Sequence, residues 1–587
     1  MGALSMSEYV IAGAGPAGLY TAYRLLKEGM REGDTLTVCE WAQRVGGRIY
    51  SYTFPESISS DGLYCEFGGM RFATDSKFPT ETSEGHVLVQ NMIIELGLED
   101  LVVPFLESPE RMYYLRGQNV YENDIIDPAG LPYHFNAEFR TFLEKYVTPP
   151  YTADAILAGL ATAFVPGTWG SNSDRPQWCS YFANGTVGQG AATTSFPEGT
   201  PVSQIGYWNL LYDQLGDEGF DYAADGNGYT SNVINWNSAD AMQANNDYGS
   251  GMSYSRLNGG YGVLFDALAA AVESLMGNFP RSRLLKGTRL ISLQESGART
   301  LCEFEASNGG GFEVTADYCF LAMPRRSIEM VASTCAPDYV LNDESVRFYL
   351  ESSIDQPAIK AVLVFAEQWW TSPQCTFAPR LNPGTTPPNF GGPSITDLPL
   401  RQIYYFGANT PDGPSAQGPY VLLASYDDMN YSDFWRQVEI TGDYVEAPSL
   451  YRQPLIGPTQ VASDSPLASL LVKQLAETHG MTTDQIPQPL AVYFQDWGQD
   501  PFGGGYHGWA AHYDICQVMD NVRAPYQKIL GQPGPNLYVI GSCYSFDQAW
   551  VEGAFCTAES VVQEFLGLPA FRDVSNYMLV CENGTTR

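Results

Sequence analysis

Residues 9–48, YVIAGAGPAGLYTAYRLLKEGMREGDTLTVCEWAQRVGGR, decide how this chain folds. Tyr9–Ala12 reads as a short buried strand, followed by G-x-G-x-x-G at Gly13, Gly15 and Gly18. A helix opens at Pro16 and Ala17, the fixed φ of proline suiting a first helical turn. Leu19, Ala22, Tyr23, Leu25 and Leu26 then recur at a helical period. A second strand, Thr35–Cys39, runs into Glu40, about twenty residues past the last glycine, where this motif needs an acid. Gly13 permits the tight turn, Gly15 lets a pyrophosphate approach the backbone, and Gly18 lets helix lie against strand. The helix N-terminus offers unpaired N–H groups and a positive dipole. Glu40 can accept hydrogen bonds from a ribose. A lone G-x-G-x-x-G is weak, but here strand, helix, second strand and acid are in register, and a bound dinucleotide is expected.

At 587 residues the chain is too long for one core, so two or three domains are expected. Its 44% hydrophobic content is that of a folded globular protein, and no apolar run approaches the roughly 20 residues of a membrane span. A formal net charge of −35 makes nucleic acid and anionic membrane unsuitable partners and is read first as a solvated acidic surface. MGALSMSE runs straight into the first strand, leaving no room for a signal peptide; a cytoplasmic location is expected, with a trimmed secreted form left open. The cysteines are scattered, odd in number and without C-x-x-C, so no metal site follows and reduced buried thiols are expected.

Gly46-Gly47-Arg48, a second glycine turn carrying an arginine, is typical of FAD rather than NAD proteins, and from here the chain resembles the flavin-containing amine oxidase family. Glu66-Phe-Gly-Gly-Met-Arg71 resembles an element of the L-amino-acid oxidase branch. There Gly68, Gly69 and Met70 pass beneath the flavin and the arginine, here Arg71, pairs with the substrate carboxylate. A planar guanidinium matches a carboxylate and stays charged; a surface or flavin-phosphate arginine is the plainer alternative. Gln356–Phe365 is an apolar strand interrupted by Lys360, costly to bury unless paired or functional. The resemblance implies a lysine holding water near the flavin; an edge-strand lysine facing solvent is the alternative. The run at 394–405, S-x-T-D-L-P-x-R-x-I-Y-Y, resembles the L-amino-acid oxidases most specifically, and one of its tyrosines is expected on the carboxylate. Adjacent strand residues face opposite ways, so Tyr404 and Tyr405 cannot both serve; Tyr405 is preferred.

Trp497–Trp509 resembles the segment beside the flavin in which monoamine oxidases carry a cysteine tether. Gly505 occupies that place, implying noncovalent FAD. Leu290 matches a position whose backbone holds adenine. Gly541-Ser542 and Asp547–Ala554 resemble the closing FAD motif, with Val551 N–H near the flavin, though Ser542 stands where many relatives have Glu. Trp550 and Tyr506 are expected to sandwich the substrate Cα, and the carbonyl of Ala549 to take its amine.

The resemblance implies an α/β multidomain fold with α+β character. A Rossmann-like FAD-binding domain is expected from 1–72, 254–330 and 528–570. A mixed-sheet substrate-binding domain comes from 73–135 and 331–527. Residues 136–253 form a helical insert, and 571–587 a C-terminal tail. It further implies oxidation of an L-amino acid by O2 to a 2-oxo acid with ammonia and hydrogen peroxide, by hydride transfer to flavin N5, in a homodimer. A polyamine or monoamine oxidase of the same fold is the alternative, and a non-catalytic binding module sharing only the glycine fingerprint is a further one.

Overall fold

The computed structural model describes residues 6–234, 236–249, 253–383, 390–413, 415, 417–442, 444–445, 455–572, 574 and 577–581, with the side chains of 246–249 outside that description. Its first sheet is parallel throughout, in the order Arg283–Leu285, Thr35–Cys39, Glu8–Ala12, Tyr318–Leu321, Asn536–Val539. The helices Pro16–Arg24, Gly262–Met276 and Val551–Glu564 share an apolar cluster that includes Ile11, Val38 and Phe320 of this sheet. Burial on both faces explains why its central strands are apolar without alternation. Arg24, fully buried in this layer, is paired with Glu559, which also accepts from Tyr20 Oη at 2.9 Å. A three-stranded antiparallel sheet, Thr288–Ser296, Arg299–Ala306 and Gly311–Ala316, lies beside it.

The second large sheet has eight strands, in the order Thr459–Val461, Ala491–Asp496, Ala358–Phe365, Tyr420–Asp428, Gln402–Gly407, Gly391–Thr396, Met112–Leu115, Gln118–Tyr121. It is mixed, because Gly391–Thr396 and Met112–Leu115 run parallel while their neighbours alternate. Side chains divide between its faces with period two. Ile359, Ala361, Leu363, Phe365, Ile403 and Tyr405 join a core with Leu467, Leu471 and Leu475 of the helix Pro466–Thr478. Val362, Val364, Tyr404 and Phe406 face the opposite way, onto Phe67 and Met70 of the glycine turn. Alternation therefore puts Lys360 on the same face as Val362 and Val364.

Residues 137–249 form a layer of helices. Ala137–Tyr146 is capped by Asn136 and Ala153–Phe164 by Thr152, each side chain accepting from a first-turn N–H. Arg175–Asn184, Tyr207–Asn227 and Ser238–Gly249 follow. The run Ala223–Asp247, whose Asn/Gly/Ser/Asp-rich composition reads as a long loop, either functional or a solvated excursion, is helical through Asn227 and again from Ser238. Two of its described polar side chains are buried and partnered: Asn227 Nδ2 donates to Asp154 Oδ1 at 2.7 Å and Asn245 Nδ2 to the carbonyl of Asn232 at 3.3 Å. Apolar positions Val87, Val89, Met92, Ile93 and Leu96 predict an amphipathic helix over 86–102; the helix is shorter, Val87–Glu95, ending before Gly97 (φ +69°), and Val102–Pro104 is a strand. Among the described residues no helix is long and apolar enough to cross a membrane.

The cysteine expectation fails at one pair: Cys179 is disulfide-bonded to Cys581, joining the helical layer to the C-terminal segment. Separation by 402 residues hides such a pairing from spacing arguments. The other described cysteines are free and buried.

Candidate active site

A cavity of about 940 Å³ runs between the two sheets, near the upper end of the roughly 300–1,000 Å³ usual for small-molecule sites. Its wall gathers segments far apart in sequence: Gly13, Gly15, Pro16, Ala17, Glu40, Gly47, Arg48, Gly68, Gly69, Leu290, Lys360, Trp497, Gly505, Tyr506, Gly541, Ser542, Ala549, Trp550 and Val551 all line it. The glycines are there for close approach. Gly13 has φ +107°, and a Cβ on it would sit 2.3 Å from the carbonyl oxygen of Ala322. Gly18 does not line the cavity; a Cβ there would meet the Gly13 carbonyl at 1.9 Å, so it seats the helix on the strand. Glu40 accepts from Ala14 N at 2.7 Å and Ala42 N at 2.8 Å, which holds its carboxylate at the cavity edge.

Arg48 donates to the carbonyl of Gly504 at 3.2 Å and lies 3.5 Å from His507 Nδ1, whose Nε2 is 3.2 Å from Asp355 Oδ1. Burial pulls the Arg48 pKa below its ordinary value despite Cys543 and Asp355 nearby. A buried guanidinium short of counter-charge, beside glycine turns and the start of a helix, suits a pyrophosphate. Glu40 suits a ribose, and a cavity of about 940 Å³ has room for a dinucleotide. At Gly505 a side chain would meet Ala358 Cβ at 2.8 Å, so the turn has neither a tethering group nor room for one.

Lys360 Nζ donates to the carbonyls of Gly68 at 2.6 Å and Glu66 at 3.1 Å and stands 4.8 Å from the centre of the Tyr426 ring. Burial lowers its pKa from 10.5 to about 8. Between those values the unfolded chain holds a proton there that the folded chain has shed, so this group's contribution to stability rises across the window. Below about pH 8 the buried charge is carried at full cost. Lys360→Met is therefore expected to have its most favourable melting temperature relative to wild type near pH 7. That difference should move toward wild type by a few degrees as pH approaches 10; parallel melting curves across that range would contradict it.

Arg71 does not line the cavity. Its guanidinium lies 4.5 Å from the centre of Tyr254, which stacks on Trp550 with centroids 5.7 Å apart and planes 11° from parallel. Its Nη1 donates to Glu107 at 2.9 Å, and Glu107 also accepts from Arg111 at 3.2 Å. Burial opposes the charge on Arg71, but Tyr404, Tyr229 and Glu107 outweigh it and raise its pKa. Met70 likewise does not reach the cavity; its side chain packs with Phe67, Val362 and Tyr404 in the apolar layer below.

The preference for Tyr405 is overturned. Its hydroxyl is 2.9 Å from Ser394 Oγ and 2.8 Å from His479 Nε2, on the sheet face turned toward helix Pro466–Thr478. Tyr404, one residue earlier, takes the other face, beside Arg71 and Tyr229, and donates to Gln402 Oε1 at 3.0 Å. Tyr404→Phe is expected to raise KM about fivefold, the loss of roughly 1 kcal/mol. Tyr405→Phe should leave KM unchanged and lower the melting temperature. Steady-state kinetics on both variants decides the assignment.

The segment 228–233 reaches the site without any motif to announce it. The Tyr229 ring meets Tyr426 edge-on at 5.5 Å. Asp428 accepts from Thr230 N at 2.7 Å, Ser231 N at 3.2 Å and Ser231 Oγ at 2.5 Å, and it also binds the hydroxyl of Tyr506. Glu552, next to the cavity-lining Val551, accepts from Leu88 N and Val89 N at 2.9 and 3.0 Å, fixing the start of helix Val87–Glu95. Tyr229, Glu107 and Asp428 were missed because each acts through a partner distant in sequence.

The chain matches the family described as flavin containing amine oxidoreductase over residues 16–566. It is 23% identical to aplysianin-A of Aplysia kurodai, over 94% of this chain and 89% of that relative. It is also 23% identical to an L-amino-acid oxidase of Demansia vestigiata, over 96% and 86% of the two chains. In structure it resembles a putrescine oxidase with a TM-score of 0.61 at 15% identity, over 96% of this chain and 99% of that one, a likeness of fold alone.

Proposed function

Since the chain belongs to the flavin containing amine oxidoreductase family, we propose that it catalyses oxidative deamination of L-amino acids. One amino acid, one O2 and one water give a 2-oxo acid, ammonia and hydrogen peroxide. The cofactor proposed is noncovalent FAD, held by Gly13, Gly15, Glu40, Gly47, Arg48 and the start of helix Val551–Glu564. When bound, it supplies the acceptor for the Cα hydride and the route of electrons to O2. The protein's work is then mainly orientation.

The observation that carries this reading is Arg71, a buried guanidinium ringed by Tyr404, Tyr229 and Tyr254 behind the Trp550 wall. A plain amine needs no such cation, whereas an amino acid brings a carboxylate that does. Glu107 is bonded to Nη1 only, so the remaining N–H groups can take a carboxylate, with Tyr404 as a second donor once its hydroxyl turns from Gln402 Oε1. Trp550 and Tyr506 would confine the Cα, with the Ala549 carbonyl accepting from the amine. Lys360, whose charge burial disfavours so that it is about half protonated at pH 8, can hold a water through Nζ. The test is a peroxide-release panel over L-amino acids, D-amino acids, putrescine and other polyamines, with flavin content read by absorbance. Turnover of L-amino acids alone is the expected result; turnover of amines without a carboxylate overturns the reading.

A further inference from the structure

A disulfide needs two sulfur atoms, and the pocket around Cys179 contains four. The Sγ atoms of Cys179, Cys516 and Cys581 all lie within 4.8 Å of one another. The thioether of Met578 is 3.5 Å from Cys179 Sγ. The three cysteines are 8%, 4% and 0% exposed. They come from helix Arg175–Asn184, helix Ile515–Asn521 and the C-terminal segment, so the cluster is made only by the tertiary fold.

Two groups are hard to explain if the disulfide is the whole purpose of the pocket. Cys516 Sγ donates to the carbonyl of Cys179 at 3.2 Å, directed at the bridge without belonging to it. Met578 presents sulfur where an aliphatic side chain would fill the same space. Thiol–disulfide exchange accounts for Cys516 poorly, since the buried thiol gives its proton to the Cys179 carbonyl rather than standing free to attack. A cation would displace that proton directly. Arg175, 4% exposed, pairs with Asp547 at 2.7 Å and donates to the carbonyl of Met578 at 3.2 Å, which fixes the backbone that carries the thioether.

We infer that, once the Cys179–Cys581 bridge is reduced, Cys179, Cys516 and Cys581 with Met578 form a binding site for one thiophilic monovalent metal ion, Cu(I). A donor set of thiolates and a thioether is soft, which favours Cu(I) over the harder divalent ions. Metal–thiolate bonds of about 2.3 Å place sulfur atoms roughly 4 Å apart, so Cys179 and Cys581 Sγ move apart from their bonded distance on reduction, while Cys516 Sγ, already within 4.8 Å of both, needs only a small shift. A phosphine or dithiol reductant supplies two electrons to the S–S bond, each sulfur takes up a proton, and the reductant is oxidised. Binding of Cu(I) then releases the thiol protons. Oxidation of the metal-free thiols by hydrogen peroxide, which takes two electrons and two protons and leaves as two waters, restores the disulfide, so the site and the bridge are mutually exclusive states.

The experiment uses the flavin-loaded full chain, reduced anaerobically with a phosphine and titrated with Cu(I) against a chromophoric Cu(I) chelator. Reduced wild type is expected to take one equivalent, and the unreduced protein none at this site. Cys516→Ser should weaken binding at least a hundredfold, and Met578→Leu about tenfold, with unchanged flavin absorbance reporting an intact fold. No tight equivalent in reduced wild type, or wild-type affinity in Cys516→Ser, overturns the site. Zinc held as tightly as Cu(I) overturns the soft-donor assignment. If Cys516→Ser loses flavin, Met578→Leu carries the test alone: unchanged Cu(I) affinity in it counts against the inference.

Discussion

Replacing Arg71 by alanine is expected to lower kcat/KM for L-amino acids by about a hundredfold or more. Removing a buried charge that pairs with substrate costs on the order of 3 kcal/mol, and each 1.36 kcal/mol is about tenfold in rate. Arg71 is 12% exposed in its side chain and lies over Tyr254 and Phe105, so the cation acts in a medium much less polar than water. Its removal leaves Glu107 with Arg111 still beside it, which limits the structural cost. The variant should therefore keep its flavin, and the loss should appear in kinetics rather than in flavin absorbance. Undiminished oxidation of amino acids by a flavin-loaded Arg71→Ala protein would remove the carboxylate anchor from this account.

Gly13→Ala is expected to abolish flavin binding. At φ +107° a side chain is strained by roughly 1–3 kcal/mol. The added methyl would also lie 2.3 Å from the Ala322 carbonyl at the end of the neighbouring strand, an atom of the backbone that cannot swing aside. Relief requires opening the turn that carries Gly15 and Pro16 to the cavity. Purified Gly13→Ala should be colourless and peroxide-silent while retaining its far-ultraviolet circular dichroism. A yellow variant of ordinary occupancy would show that the turn has more slack than its geometry implies.

The parallel sheet and its cradle were readable because their determinants are local: glycines at fixed spacing, an apolar strand, an acid after the second strand. Lys360 was readable as a lone charge in an apolar strand. Choosing between Tyr404 and Tyr405 was not, since alternation says that they part but not which face meets the cavity. That depends on the helix Pro466–Thr478, packed against the odd-numbered residues of the strand at 358–365 and on Tyr405. The run 223–247 misled for a related reason. Asparagine and aspartate read as solvent-seeking until a tertiary partner such as Asp154 makes their burial affordable. The Cys179–Cys581 bridge was hidden by sequence distance.

The fastening of residues 230–231 to Asp428 bears on how this protein could be re-engineered. Because that carboxylate collects donors from the helical layer and from Tyr506 together, the turn behaves as a fixed jamb, not a door. Substrate preference is better altered at Tyr229, whose ring backs the cavity-lining Tyr426, than at Asp428, whose replacement would release Tyr506 as well.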